Sequence, residues 1–221
     1  MIDIKVSEDF AAARVAVALG CVQCVVTVTE RDEALDQALA AEVTRWETLL
    51  ADMPVAEVPP IAAARRAYKA LGKDPSRYRV SSEALLRRIG QGKGLYRINS
   101  VVDTNNLVSL CSGYSVGSYR AETLTPPVVF RKGTAGESYQ AIGRGALNLE
   151  NLPIFADAQG PFGSPTSDSE RSMITADTEA VLMVIIAFGE APDLEEHLAF
   201  AAQCLESYSA ARDPETAAIT P

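Results

Sequence analysis

The strongest pattern in the chain is Ala180 to Phe188, an almost wholly apolar run that reads as a buried strand. Upstream, Ile2–Val6 alternates apolar and polar residues as an edge strand does, and Ser7-Glu-Asp begins a short turn or helix. Ala13 to Thr29 reads as one or two strands interrupted near Gly20. Leu35, Leu39, Val43, Trp46 and Leu50 then recur at helical spacing behind a plausible cap at Asp32, so a long amphipathic helix is expected to end near Asp52-Met-Pro. Pro59 and Pro60 suit the opening turn of a second helix that puts Ile61, Ala64, Tyr68 and Leu71 on one face and stops at Gly72. Ser81 or Ser82 is placed to cap a third, with Leu85, Leu86 and Ile89 inward. A fourth helix carries Leu107, Val108 and Leu110, is capped by Ser100 or Asp103, and closes at Gly113.

The second half reads differently. Val128–Arg131, Ser138–Ile142 and Leu152–Ala156 look like strands of an antiparallel sheet, and a last helix from Pro192-Asp carries Leu194, Leu198, Ala201 and Leu205. A single domain over residues 1–211 is expected, with 212–221, containing Asp213-Pro, as a loose tail. Between Leu152–Ala156 and the apolar run at Ala180 lies Phe162 to Thr178, which crowds hydroxyls, three acids and a base behind Gly and Pro. Such a run folds onto its own backbone through side-chain hydrogen bonds. Held by a buried strand, it is a common setting for a binding or catalytic site, and equally for a capped turn with no further task.

Composition narrows the field. An apolar share of 48% with 22% charged residues over 221 positions is ordinary for a globular protein. No uninterrupted apolar run is long enough for a bilayer, and acids stand where a secretory leader has bases, so a cytoplasmic protein is expected. Cys21 and Cys24 form a Cys-x-x-Cys pair inside a strand candidate, where residues three apart point to opposite faces. No zinc site follows, and neither a metal nor a cofactor is expected. The net charge of −9 argues against nucleic acid until its distribution is seen. Ten of the 20 basic residues lie between Arg65 and Arg97, opposed there only by Asp74 and Glu83. Arg65, Arg66 and Lys69 on one helix, with Arg87, Arg88 and Lys93 on and after the next, would make two basic ridges suited to a polyanion. Gly90-Gln-Gly-Lys-Gly94 follows a helix and lacks the Gly-Lys-Ser/Thr ending, which excludes a P-loop. The lone histidine, His197, sits one helical turn after Asp193, and no Ser-His-Asp triad is supported.

Several segments together resemble a known family. They are Ser81-Ser-Glu-Ala-Leu-Leu-Arg-Arg88, Asn99 through Leu110, Gly113-Tyr-Ser-Val-Gly-Ser-Tyr119, Gly136-Glu-Ser-Tyr139 and Phe162 through Arg171. In this order they resemble the B3/B4 domain of the phenylalanyl-tRNA synthetase β-subunit, and more closely the free-standing B3/B4 proteins. The resemblance implies an α+β fold, a three-layer domain with an unusual β-sandwich and flanking helices. It also implies tRNA or aminoacyl-tRNA as partner, with Arg65, Arg66, Lys69, Arg87, Arg88 and Lys93 holding the acceptor arm. The associated activity is hydrolysis of misacylated aminoacyl-tRNA, and the alternative is a non-catalytic module for tRNA or a free amino acid. By the same resemblance Glu170 matches a pocket glutamate, while Gly117 stands near where the synthetase pocket carries a histidine. On this reading Ser167, Asp168 and Glu170 carry the chemistry, Thr166, Ser169 and Arg171 position substrate, and Asn99, Asp103 and Asn106 line a facing wall together with Gly117.

Overall fold

Alternate residues of the central strand face two different cores, and the rest of the fold is arranged around that division. A computed structural model describes residues 1–221. In β9 (Ala180–Phe188), Val181, Met183, Ile185 and Ala187 enter one apolar cluster, and Leu182, Val184, Ile186 and Phe188 enter another. A strand covered on both faces has no polar side, which is why this stretch shows no alternation. Its neighbours are β2 (Val17–Val25) and β3 (Ser115–Arg120), both antiparallel to it. Cys21 and Cys24 of β2 fall on opposite faces as their spacing requires, and both are buried and free.

Over the first face lie four helices: α2 (Glu33–Leu49), α4 (Ser81–Gly90), α5 (Ser100–Ser112) and α6 (Leu194–Ser209), each contributing residues to the same cluster. Asp32 caps α2 by accepting from Leu35 N, and Trp46 packs in that core with its Nε1 donating to Leu110 O. Over the second face lies another sheet: β1 (Ile4–Val6), β4 (Val128–Lys132), β7 (Pro153–Asp157) and β8 (Gly160–Gly163), in the order β1-β4-β7-β8. Phe130, Phe155 and Phe162 from this sheet meet Tyr119 and Phe188 between the sheets, with α1 (Asp9–Ala12) and α3 (Pro59–Leu71) closing the sides through Phe10 and Tyr68. The layers are thus helices, sheet and sheet, an α+β architecture with a sandwich at its centre. The edge position of β1 agrees with its alternating sequence, although it runs parallel to β4.

Four expectations need correction. Asn99, and neither Ser100 nor Asp103, holds the cap position of α5 and accepts from Val102 N. Residues 212–219 are a strand, β10 (Arg212–Ile219), paired antiparallel with β2 on the edge of the central sheet. Pro214 falls in a register shift between Arg212 and Glu215, where a missing N–H does no harm. Neither Ser81 nor Ser82 caps α4, since Val80 holds the cap position and Ser82 instead bonds Ser115 Oγ. The 138–142 segment does not join the larger sheets. It forms a separate hairpin, β5 (Ser138–Ala141) with β6 (Gly145–Asn148).

Candidate functional site

The polar run after β8 folds back on itself as its composition suggests. Ser164 Oγ donates to Ser167 O and accepts from the N–H groups of Thr166 and Ser167. Ser169 caps a short 3-10 turn at Glu170–Ser172, and Ser172 Oγ donates to Phe162 O. The carbonyls of this loop serve its neighbours. Pro165 O accepts from Ser81 N at 2.7 Å and so satisfies one of the orphan N–H groups at the start of α4. Asp168 O accepts from Ile142 N in the β5–β6 turn, and Ser167 O accepts from the Tyr139 hydroxyl. Thr166 is buried, with its hydroxyl 3.0 Å from that of Tyr68. The loop is therefore clamped between α4 and the hairpin.

Asp168 lies at its centre. Oδ1 accepts from the Tyr119 hydroxyl (3.0 Å) and from Ser164 N (3.2 Å). Burial of the carboxyl group pushes its pKa up to about 7, and those two hydrogen bonds offset only part of the rise. No cation is paired with it. Ser167 is half-buried and its hydroxyl donates no hydrogen bond, while Glu170 is exposed and free of any ion pair. Arg171 is committed elsewhere. Its guanidinium grips the fully buried carboxylate of Asp157 at 3.0 and 3.1 Å and also donates to Thr123 O and Gly160 O. Burial alone would raise the Asp157 pKa, but these bonds and those from Thr125 N and Gln159 N leave it below the usual carboxylate range.

The facing wall does not assemble as expected. Asn99 caps α5 by accepting from Val102 N, and Asp103 Oδ1 accepts from Ile98 N. Their surroundings are Thr29 beside β2 and the charges Arg97, Asp36 and Arg31, in the helical layer, whereas the loop rests on the sandwich side with Tyr68 and Tyr119. Burial raises the Asp103 pKa there. Asn106 is half-buried on the same helix. Gly117 does approach the loop, but the space beside it is occupied. A Cβ on Gly117 would collide with the Tyr119 hydroxyl, and one on Gly163 would collide with the Tyr119 ring. Two glycines thus let one tyrosine lie between β3 and β8 and reach Asp168. This pairing left no sign in the sequence beyond the two glycines themselves.

The basic residues also divide. Arg65 is drawn into a tie between α3 and α4, donating to both oxygens of Glu83 (2.9 and 3.0 Å), and Arg87 takes the same fully buried carboxylate at 2.8 Å. Arg66 is exposed and lines a different hollow with Arg14 and Phe188, and Lys69 is exposed. Arg87, Arg88 and Lys93, by contrast, line a recess of about 270 Å³ together with Arg77, Arg79 and Arg144. The expected pair of ridges is thus one concave site at α4 and scattered charge on α3. Arg144 was missed because it comes from the hairpin turn, far away in sequence. The frame of the recess, α4 and the β5–β6 turn, is the same pair of elements that clamps the 164–169 loop.

A three-layer α+β domain carrying a polar loop beside a cationic recess is the class these observations define. The chain matches the family described as the B3/4 domain over residues 63–195, and it belongs to that family. Among solved structures it is similar to an N-terminal fragment of the phenylalanyl-tRNA synthetase β-subunit from Pyrococcus horikoshii, at 13% identity and a TM-score of 0.43. That match covers 92% of this chain and 49% of the other, so the chain spans about half the length of that fragment. No curated protein matches the chain. No helix is long and apolar enough to cross a membrane.

Proposed function

We propose that this protein binds tRNA and hydrolyses misacylated aminoacyl-tRNA, with the aminoacyl end at the 164–171 loop and the acceptor arm on the basic face of α4. The observation that carries the reading is the placement of the loop, clamped by α4 and the hairpin that also frame the cationic recess. An anionic chain held at the recess would therefore run past Asp168. Membership of the B3/4 family, whose domain in a tRNA synthetase the sequence resembles, supports tRNA as the polyanion.

The chemistry asked of the loop is modest. An aminoacyl ester is already activated, so positioning a water and removing its proton supply much of the effect. Asp168 is suited to take that proton, because a carboxyl with a pKa of about 7 is half ionised near neutrality and a stronger base than an ordinary aspartate. In this reading the free Ser167 hydroxyl and the exposed Glu170 bind the amino acid, the Glu170 carboxylate taking the ammonium group of the substrate. Arg171, held by Asp157, braces the loop and does not reach for substrate.

A second reading has one observation in its favour. Tyr119 fills the space beside Gly117 and so leaves no room for an amino acid there, which suits a module that binds tRNA without cleaving the ester. Deacylation of a panel of misacylated tRNAs by the wild type and by Asp168→Asn separates the two. Hydrolysis that exceeds the blank and is lost in the variant supports the enzyme. Tight binding with no hydrolysis of any charged tRNA leaves the binding module.

A further inference from the structure

The recess is electrostatically unusual for this chain. Six cations converge on it, Arg77, Arg79, Arg87, Arg88, Lys93 and Arg144, within a protein of net charge −9. Only Arg87 has a carboxylate partner, Glu83, and that partner is shared with Arg65. No ion pair in the structure involves the other five. Arg88 is held in place, its guanidinium 3.8 Å from the Tyr96 ring centroid and Nη2 donating to Lys93 O, yet its Nε is buried without a partner. Gathering like charges without counter-ions opposes folding, and an unsatisfied buried donor adds to the cost. A bound anion removes the first of these penalties.

The shape narrows the anion. A flat basic stripe suits the repeating single charges of a nucleic-acid backbone, whereas guanidinium groups converging on a small concavity suit one compact, highly charged group. A phosphate monoester near neutral pH carries a charge of about −1.5 to −2, against −1 for each internal diester, and offers three free oxygens to forked donors. Mature tRNA has one such group, its 5′-terminal phosphate, at the same end of the acceptor stem as the 3′ aminoacyl ester. We propose that the recess between α4 and the β5–β6 turn binds the 5′-terminal phosphate of the RNA whose 3′ end meets the 164–171 loop. This rests on the tRNA reading above and adds a recognised chemical end to it. Arg144 reaches the phosphate from the turn whose Ile142 N–H holds Asp168 O, so one hairpin serves both the 5′ and the 3′ terminus of the RNA.

The test compares binding of otherwise identical tRNA carrying a 5′-phosphate or a 5′-hydroxyl, using the wild type, Arg79→Glu and Arg144→Glu. Both side chains are exposed and unpaired, so the variants should fold, which circular dichroism checks. The wild type is expected to prefer the phosphorylated end by about tenfold or more, as suits a few charge-assisted hydrogen bonds, and each variant to lose most of that preference. Equal affinity of the wild type for the two ends overturns the 5′-phosphate assignment while leaving tRNA binding intact. Failure to bind either tRNA overturns the tRNA reading itself. Competition by inorganic pyrophosphate or a nucleoside triphosphate that is lost in Arg144→Glu, with no discrimination between tRNA ends, assigns the recess to a small phosphate ligand and also overturns the proposal.

Discussion

Two polar segments invited the same interpretation, the start of α5 around Asn99–Asn106 and the loop around Ser164–Arg171, and the structure treats them differently. At α5 the polar side chains answer the helix: Asn99 accepts from Val102 N and Asp103 from Ile98 N, leaving little for a ligand. In the loop the backbone is satisfied mainly by Ser164 and Ser169, with one bond from Ser164 N to Asp168, so Ser167 and Glu170 stay unengaged. Each segment holds an aspartate whose pKa burial raises, yet only Asp168 lies on the elements that also frame a cationic recess. Polarity of composition does not make a site. What matters is which polar atoms remain unengaged once the backbone has been satisfied.

The largest expected effect that tests this contrast is on Arg171. Arg171→Ala strips the fully buried Asp157 of its partner and should destabilise the fold by about 3 kcal/mol, measured by urea unfolding. A variant of unchanged stability with impaired substrate binding would return Arg171 to the substrate side. Gly163→Ala should follow at about 2 kcal/mol, because its Cβ would press on the Tyr119 ring. Asn99→Ala should cost about 1 kcal/mol, the usual loss for a helix cap, with tRNA affinity unaltered. A clear fall in affinity at full stability would restore Asn99 to the site. Ser167→Ala should change stability by no more than about 0.5 kcal/mol while slowing ester hydrolysis.

The carboxyl of Asp168 sharpens the contrast through pH. Its pKa is higher in the folded than in the unfolded chain, so between about pH 4 and 7 the folded state binds more protons and stability falls as pH rises. Asp168→Asn keeps an acceptor oxygen for Tyr119 and Ser164 N and removes the titration, and it should flatten this part of the stability profile. An unchanged slope would mean that the carboxyl titrates normally.

Much of the architecture was visible in the pattern of the chain. The Leu35-to-Leu50 periodicity, the prolines opening α3, the glycines closing α3 and α5, and the apolar run of β9 each state a local rule that the packing obeys. β10 was invisible because an exposed edge strand needs only backbone partners and shows no apolar alternation, and its Asp213-Pro reads as a break. The candidate site was half legible. The loop announced itself through its hydroxyls and acids, and the charge of α4 through its arginines. The role of Arg65 was hidden because one buried glutamate, Glu83, reorients it, and Arg144 because a hairpin brings it across from another part of the chain. The plug at Tyr119 depends on contacts between β3 and β8 that no local pattern encodes.

The central claim is that the 164–171 loop acts on an ester delivered by tRNA. The most direct measurement is the rate of release of amino acid from a panel of misacylated tRNAs between pH 5 and 8, for the wild type and Asp168→Asn. Release above the uncatalysed rate is predicted for at least one charged tRNA, rising through about pH 7 as Asp168 ionises and absent in the variant. Release no faster than the blank for every charged tRNA, or equal release by Asp168→Asn, would contradict it.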